Sequence, residues 1–240
     1  MYQQTISSPI TINGIGLHSG KKSIITILPG KADQGIIFKR IDLKENNLVH
    51  ANYKNVSSAK LCTTLENNHG TKVSTVEHLL AAFYVTGIDN VTVEINNEEV
   101  PIMDGSARDF LNILKKNETV ILTSQKRKYL KVLEKFELID GNRKISIEPD
   151  ESFKVDFQLN YENQIIGQQR NLIDFQNDNI NEVVESRTFC LFEDIEKIKK
   201  FGLAKGGSLD NAVVVDKNKV LNKNGLRNEK EFVNHKILDL

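Results

Sequence analysis

The sequence predicts an α+β protein of two similarly built domains, residues 1–124 and 125–240, each with strands and helices covering one face. Three observations carry this reading. Strand-like runs bounded by Gly and Pro occur in both halves, helix-period runs occur in both, and 117–128, "NETVILTSQKRK", breaks the pattern between them. A chain of 240 residues is long enough to bury a sizeable core. No residue-level repeat accompanies the suspected duplication of plan.

"SPITING", "KKSIITILPG" and "QGIIFKRIDL" are β-rich and separated by turn residues, and "DNVTVEIN" is a further strand. Between them, Val76, Leu79, Leu80 and Phe83 fall at i, i+3, i+4 and i+7, the spacing of an amphipathic helix that Gly87 would stop. "MDGSARDFLNILKK" predicts a turn and then a helix, with Ser106 and Asp109 at capping-box spacing. In the second half, "DGN" between two alternating runs predicts a hairpin turn. "FKVDFQLNY" and "NAVVVD" are strands, and "EDIEKIKKFG" is a helix closing at Gly202.

Lys+Arg and Asp+Glu both number 32, so the balance lacks the basic excess of a nucleic-acid binder. The basic cluster 125–135 predicts a solvated linker or strand edge. Two cysteines, Cys62 and Cys190, do not make a disulfide framework. The N-terminus has no signal-peptide pattern, and the longest apolar stretch is too short to span a bilayer. These features predict a cytoplasmic protein without stable membrane insertion. "GIGLHSGKK" fails both phosphate-loop templates: Gly14, Gly16 and Gly20 are one residue too long for the dinucleotide fingerprint, and Ile15 and Lys22 stand where a Walker loop needs Gly and Ser/Thr.

Of five histidines, His78 and His235 carry the chemistry. At 100° per residue, His78 lies roughly 150° from the centre of its helix's apolar stripe, and His235 with Asp239 roughly 150° from the stripe of Val233, Ile237 and Leu240. Each aims away from the surface that packs its own helix. An i, i+4 pair supplies two metal ligands without bending the backbone, and one more can come from another helix. Glu77, about 100° round from His78, would flank such a metal as a general base. The spacing alone equally suits exposed polar helix faces.

"KVSTVEHLLAAF", "GIDNVTVEINNEEVPIMDGSA", "SRTF", "GLAKGGSLDNAVVVD" and "LRNEKEFVNHKILDL", with "GIGLHSGKK" and "LCTTL", resemble in order the zinc-dependent UDP-3-O-acyl-N-acetylglucosamine deacetylases of lipid A biosynthesis. The resemblance implies two α+β sandwich domains packed head to head, with the active site between them. It implies one catalytic Zn²⁺, or iron in its place, on His78, His235 and Asp239. Glu77 would be general base and Thr188 would hold the oxyanion; Lys236, Asp194, Phe189 and His18 would meet a UDP-linked acylated N-acetylglucosamine. An acyl-chain passage is expected near 158–169, and Cys62 as a small hydrophobe or pocket lining. The implied reaction frees acetate and the glucosamine amine, the committed step of the pathway. Alternatives are a zinc amidohydrolase of another amide and a catalytically impaired fragment. The family continues past this helix to a histidine general acid, so the expectation is a piece of a longer protein, weakly active or inactive, and compatible with a C-terminal fusion to a hydroxyacyl-carrier-protein dehydratase domain.

Overall fold

The structure, a computed structural model, describes residues 1–240. Strand β1 (Tyr2–Ile6) precedes the antiparallel pair β2 (Ile10–Ile15) and β3 (Lys22–Pro29). On β3 the buried residues are Ser23, Ile25 and Ile27, the period of two that a strand with one face on a core requires. Next come β4 (Ile36–Arg40) and β5 (Leu48–His50), then a small antiparallel sheet of β6 (Val56–Ser58), β7 (Thr64–Glu66) and β8 (Lys72–Ser74). Helix α1 (Glu77–Thr86) leads to β9 (Val91–Ile95), which completes a five-stranded sheet in the order β2-β3-β9-β4-β5. Gly87 ends α1 at φ 72°, the left-handed conformation that glycine adopts without steric cost.

Helix α2 (Arg108–Lys115) forms where expected, but without the capping box. Ala107 occupies the cap, and the Ser106 hydroxyl instead donates to Asp104 Oδ1 at 2.8 Å. The same hydroxyl accepts the Arg108 N–H at 3.2 Å, one residue out of register with the expected cap. The stretch 117–128 is not a break either. It forms β10 (Thr119–Lys126), antiparallel to β1, so the first half extends to about residue 127. Arg127 then binds both oxygens of Asp89 and the carbonyl of Gly87, fixing the chain where it leaves the pair.

The second half opens with the hairpin β11 (Phe136–Asp140) and β12 (Arg143–Ile147), turned at Gly141 as predicted. A second ribbon joins β13 (Lys154–Asn160) to β14 (Gln168–Asp174). After α3 (Asn181–Glu185), strand β15 (Phe189–Leu191) crosses through α4 (Phe192–Lys200) to the parallel strand β16 (Val213–Asp216), edged by β17 (Lys219–Val220). Helix α5 (Glu231–Leu238) closes the order.

Helix α5 is buried nearly all round because it joins two cores. Ile237 and Leu238 enter the large cluster that also holds Leu79, Ala82 and Phe83 of α1 and the inner face of the five-stranded sheet. Phe232 and Val233 enter a small cluster with Leu159, Ile166, Val213 and Val215. Its polar residues are thereby forced into the seam between α1 and the second half. The mixed sheets and helices bear out the α+β class.

Candidate metal centre

Leu79, Ala82 and Phe83, all fully buried, fix the rotation of α1 and leave His78 facing α5. The rings of His78 and His235 meet edge to face with centroids 5.1 Å apart. His235 Nδ1 lies 3.0 Å from the carbonyl oxygen of Ser186. A carbonyl only accepts, so Nδ1 carries the proton and Nε2 keeps its lone pair for the seam. There the Nε2 atoms of His235 and His78 stand 3.5 and 3.7 Å from Asp239 Oδ1. Asp239, the residue that caps α5, gives its other oxygen to the Lys236 ammonium at 2.9 Å.

Asp239 Oδ1 is buried without a hydrogen-bond partner, as is His78 Nδ1. An unpaired buried carboxylate oxygen is costly unless a cation meets it. Burial, then the neighbouring His235, pushes His78 down to about 4, and burial lowers His235 too. Burial opposes the charge on Asp239, but His235, Lys236 and His78 together hold its carboxyl below the usual range. Two neutral imidazoles and a carboxylate are the donors a divalent ion takes, and their ligand atoms all lie within 4.8 Å of one another. A tetrahedral ion with bonds of about 2.0–2.1 Å sets its donors roughly 3.4 Å apart, so the residues fit such an ion.

Glu77 opens α1 immediately before His78, and its Oε2 accepts the Thr63 N–H at 3.1 Å. Burial, with a contribution from Asp239, pushes Glu77 up to about 7. A carboxylate poised there can take and return a proton near neutral pH. Cys62 is half-buried close by; burial and then Glu77 push its thiol up, which disfavours the nucleophilic thiolate.

Beside the histidines lies a mostly apolar pocket of about 300 Å³, walled among others by Leu17, His18, Thr188, Phe189, Ile195 and Val214. Phe189 separates it from the metal ligands: its ring is 6.4 Å from that of His235, with Lys236 Nζ 5.5 Å above it. His18 enters from the first half, its backbone N–H on Glu99 Oε1 at 2.7 Å and its Nε2 buried without a partner. Gly206 makes the approach feasible, since a Cβ there would stand 2.3 Å from the carbonyl oxygen of Gly16.

Two expectations change. Residues 158–169 do not line this pocket; Leu159 and Ile166 fill the small core instead, because the ribbon's inner face is spent on Val213, Val215 and Phe232. Asp194, expected at the substrate, does not line this pocket either, but sits half-buried on α4, paired with Lys197 at 3.1 Å. Sequence reasoning also missed the Ser186 carbonyl and a second apolar pocket of about 360 Å³ that runs from Glu77 and Asp239 past Tyr84 to Phe153 and Phe175. No spacing in the sequence signals either one, since each is assembled from distant segments.

Residues 3–240 match the family described as UDP-3-O-acyl N-acetylglycosamine deacetylase. The chain is 41% identical over 240 residues to the UDP-3-O-acyl-N-acetylglucosamine deacetylase of Saccharophagus degradans, covering 99% of this chain and 78% of that protein. The same name and identity hold for proteins of Geobacter sp. strain M21, at 100% and 78% coverage, and Pseudoalteromonas translucida, at 99% and 79%. No helix of the structure is long and apolar enough to cross a membrane.

Proposed function

The chain belongs to the UDP-3-O-acyl N-acetylglycosamine deacetylase family, and from that membership and the geometry of the seam we propose how it works. It is a hydrolase that removes the N-acetyl group of UDP-3-O-acyl-N-acetylglucosamine in lipid A biosynthesis. His78, His235 and Asp239 hold one zinc ion. The observation that carries this reading is Asp239 Oδ1, buried, unpaired and faced by two imidazole Nε2 atoms at 3.5 and 3.7 Å. When bound, the ion polarises the acetamide carbonyl and makes a water acidic enough to attack at neutral pH.

The chain's own residues supply the rest. Glu77 takes the proton of the attacking water and returns it to the glucosamine nitrogen as the C–N bond breaks, roles that a carboxyl pushed up to about 7 supports. The Thr188 hydroxyl, immediately before β15, donates to the oxyanion that develops in the transition state. Lys236 pairs with Asp239 at 2.9 Å and offers its remaining donors to the substrate. The apolar pocket walled by Phe189, His18 and Leu17 takes the acyl chain, burying it at about 0.8 kcal/mol per methylene. Asp194, on α4, contacts the substrate.

Elemental analysis of the folded chain, beside His235→Ala checked by circular dichroism, tests the ligand set. About one zinc per parent chain and none in the variant is expected. Glu77→Gln should keep the metal and lose about 10²–10⁴-fold in acetate release. A folded parent without zinc, or a His235→Ala protein that keeps it, would sink the assignment.

A further inference from the structure

Arg187 and Glu231 form a buried ion pair that the reaction chemistry above leaves unused. Glu231 is fully buried in the first turn of α5, and Arg187 is 8% exposed. The contact is two-pronged: Arg187 Nε reaches Oε1 at 2.7 Å and Nη2 reaches Oε2 at 3.1 Å. Two backbone N–H groups complete the carboxylate, from Arg187 at 3.1 Å and Arg227 at 2.6 Å. Nη2 also donates to the Gly225 carbonyl at 2.8 Å. Every strong acceptor site on Glu231 is used, so the pair fixes geometry rather than waiting for a partner.

Its place in the chain gives that geometry a use. Arg187 stands between Ser186, whose carbonyl sets the tautomer of His235, and Thr188. Glu231 stands one helical turn before His235 on the same face. The segment is fastened further down by Thr188 N–H to the Gly105 carbonyl at 2.7 Å and by Val213 N–H to the Thr188 carbonyl at 2.8 Å. A hydrophobic contact at this point would permit α5 to slide or rotate slightly; a bidentate pair with two backbone donors does not.

We infer that Arg187 and Glu231 are positioning residues that lock the Ser186–Thr188 segment to the first turn of α5, holding the His235 tautomer for the metal and Thr188 for the oxyanion together. The inference rests on the reading of His235 as a metal ligand. Loosening the lock lets the Ser186 carbonyl leave Nδ1, so that the His235 proton exchanges between ring nitrogens and Nε2 ceases to be a dedicated donor. Partners that orient a metal-bound histidine typically account for about 10–100-fold in metal affinity.

The test measures zinc affinity by chelator competition, the cobalt(II) absorption spectrum and the His235 ¹⁵N shifts in the parent, in Glu231→Gln and in the double variant Arg187→Met/Glu231→Leu. Glu231→Gln strands a buried guanidinium and should lower Tm as well as weaken zinc binding by about 10–100-fold. The apolar double variant should regain Tm, because buried pairs are commonly replaceable by hydrophobic residues without loss of stability. It should still bind zinc weakly, with a shifted cobalt spectrum and mixed histidine tautomers. If zinc affinity returns with Tm in the double variant, the pair is structural only and the inference falls. Zinc affinity equal to the parent's in Glu231→Gln overturns it too. A folded parent that binds no zinc overturns the ligand reading instead, and this inference with it.

Discussion

The two halves of the molecule solve the same packing problem unequally. Residues 1–127 close a five-stranded sheet under α1 and α2, and their inner face forms one large core in which Ile25, Ile27, Phe38, Phe83 and Phe110 are wholly buried. Residues 136–174 form two separate two-stranded ribbons. The first ribbon pairs Phe136 with Ile147 and Leu138 with Ile145, an apolar face on which all four residues are at least 50% exposed. Ribbons of two strands are marginal by themselves. The second half is therefore ordered partly from outside itself, by α5 entering the large core and by Arg227 reaching Asp104 at 2.8 Å, and partly by its own polar ties, such as Arg187 to Glu231 and Lys230 to Asn171 at 3.0 Å. The difference teaches where the metal ligands get their precision. His78 is held by hydrophobic packing alone, whereas hydrogen bonds from Ser186 to His235 and from Lys236 to Asp239 supplement the packing of α5.

The comparison breaks first, if it breaks, at the cores. Phe83→Ala should cost about 3–5 kcal/mol in chemical denaturation, and Leu159→Ala about 2 kcal/mol, the low end for its class because its cluster is small and partly open. Equal costs, or the reverse order, would mean that the second half carries its own stability. A smaller effect is expected on the exposed ribbon. Phe136→Ser and Ile145→Ser should each change stability by no more than about 0.5 kcal/mol, since no packing is lost. A loss above about 2 kcal/mol would show that this face is covered in solution.

The smallest effect is a pH dependence confined to the second ribbon. The side chain of Asn177, the Ser152 hydroxyl and the Gln176 N–H hold the Asp174 carboxyl down at about 2, against an ordinary 3.8. A carboxyl lowered on folding stabilises the fold above its ordinary pKa, and that contribution is lost as pH falls from about 3.8 to about 2. Amide exchange in β13 and β14 should quicken across that window, with the five-stranded sheet less affected. Asp174→Asn should abolish the local pH dependence; a variant that keeps it would assign the effect to another group.

Much of this was legible because it is local. The 3.6-residue period of Val76, Leu79, Leu80 and Phe83 specifies α1, and Gly87 ends it because no other residue enters the left-handed region so cheaply. The turn at Gly141 and the i, i+4 spacing of His235 and Asp239 are equally local. Two features failed. The stretch 117–128 has the composition of a linker, but β10 is made a strand by β1, more than a hundred residues away. Ser106 has the spacing of a cap, but Ala107 occupies the cap position, and the Ser106 hydroxyl donates to Asp104 while accepting the Arg108 N–H. The apolar pocket was misplaced because Leu159 and Ile166 look no different in sequence from Ile195 and Val214; which pair is buried in a core and which lines a cavity depends on what packs against each.

The sequence by itself determined the elements, the side of α1 and α5 on which the polar ligands lie, and the family to which those motifs belong. These follow from backbone periodicity and from short motifs, which act over a few residues. Only the tertiary structure decided that the two faces meet, that Asp239 Oδ1 is left unpaired between two Nε2 atoms, and that Ser186 sets the tautomer of His235. Each of these is a contact between segments about fifty to a hundred and sixty residues apart, fixed by how the two cores share α5, and no local pattern encodes such a distance.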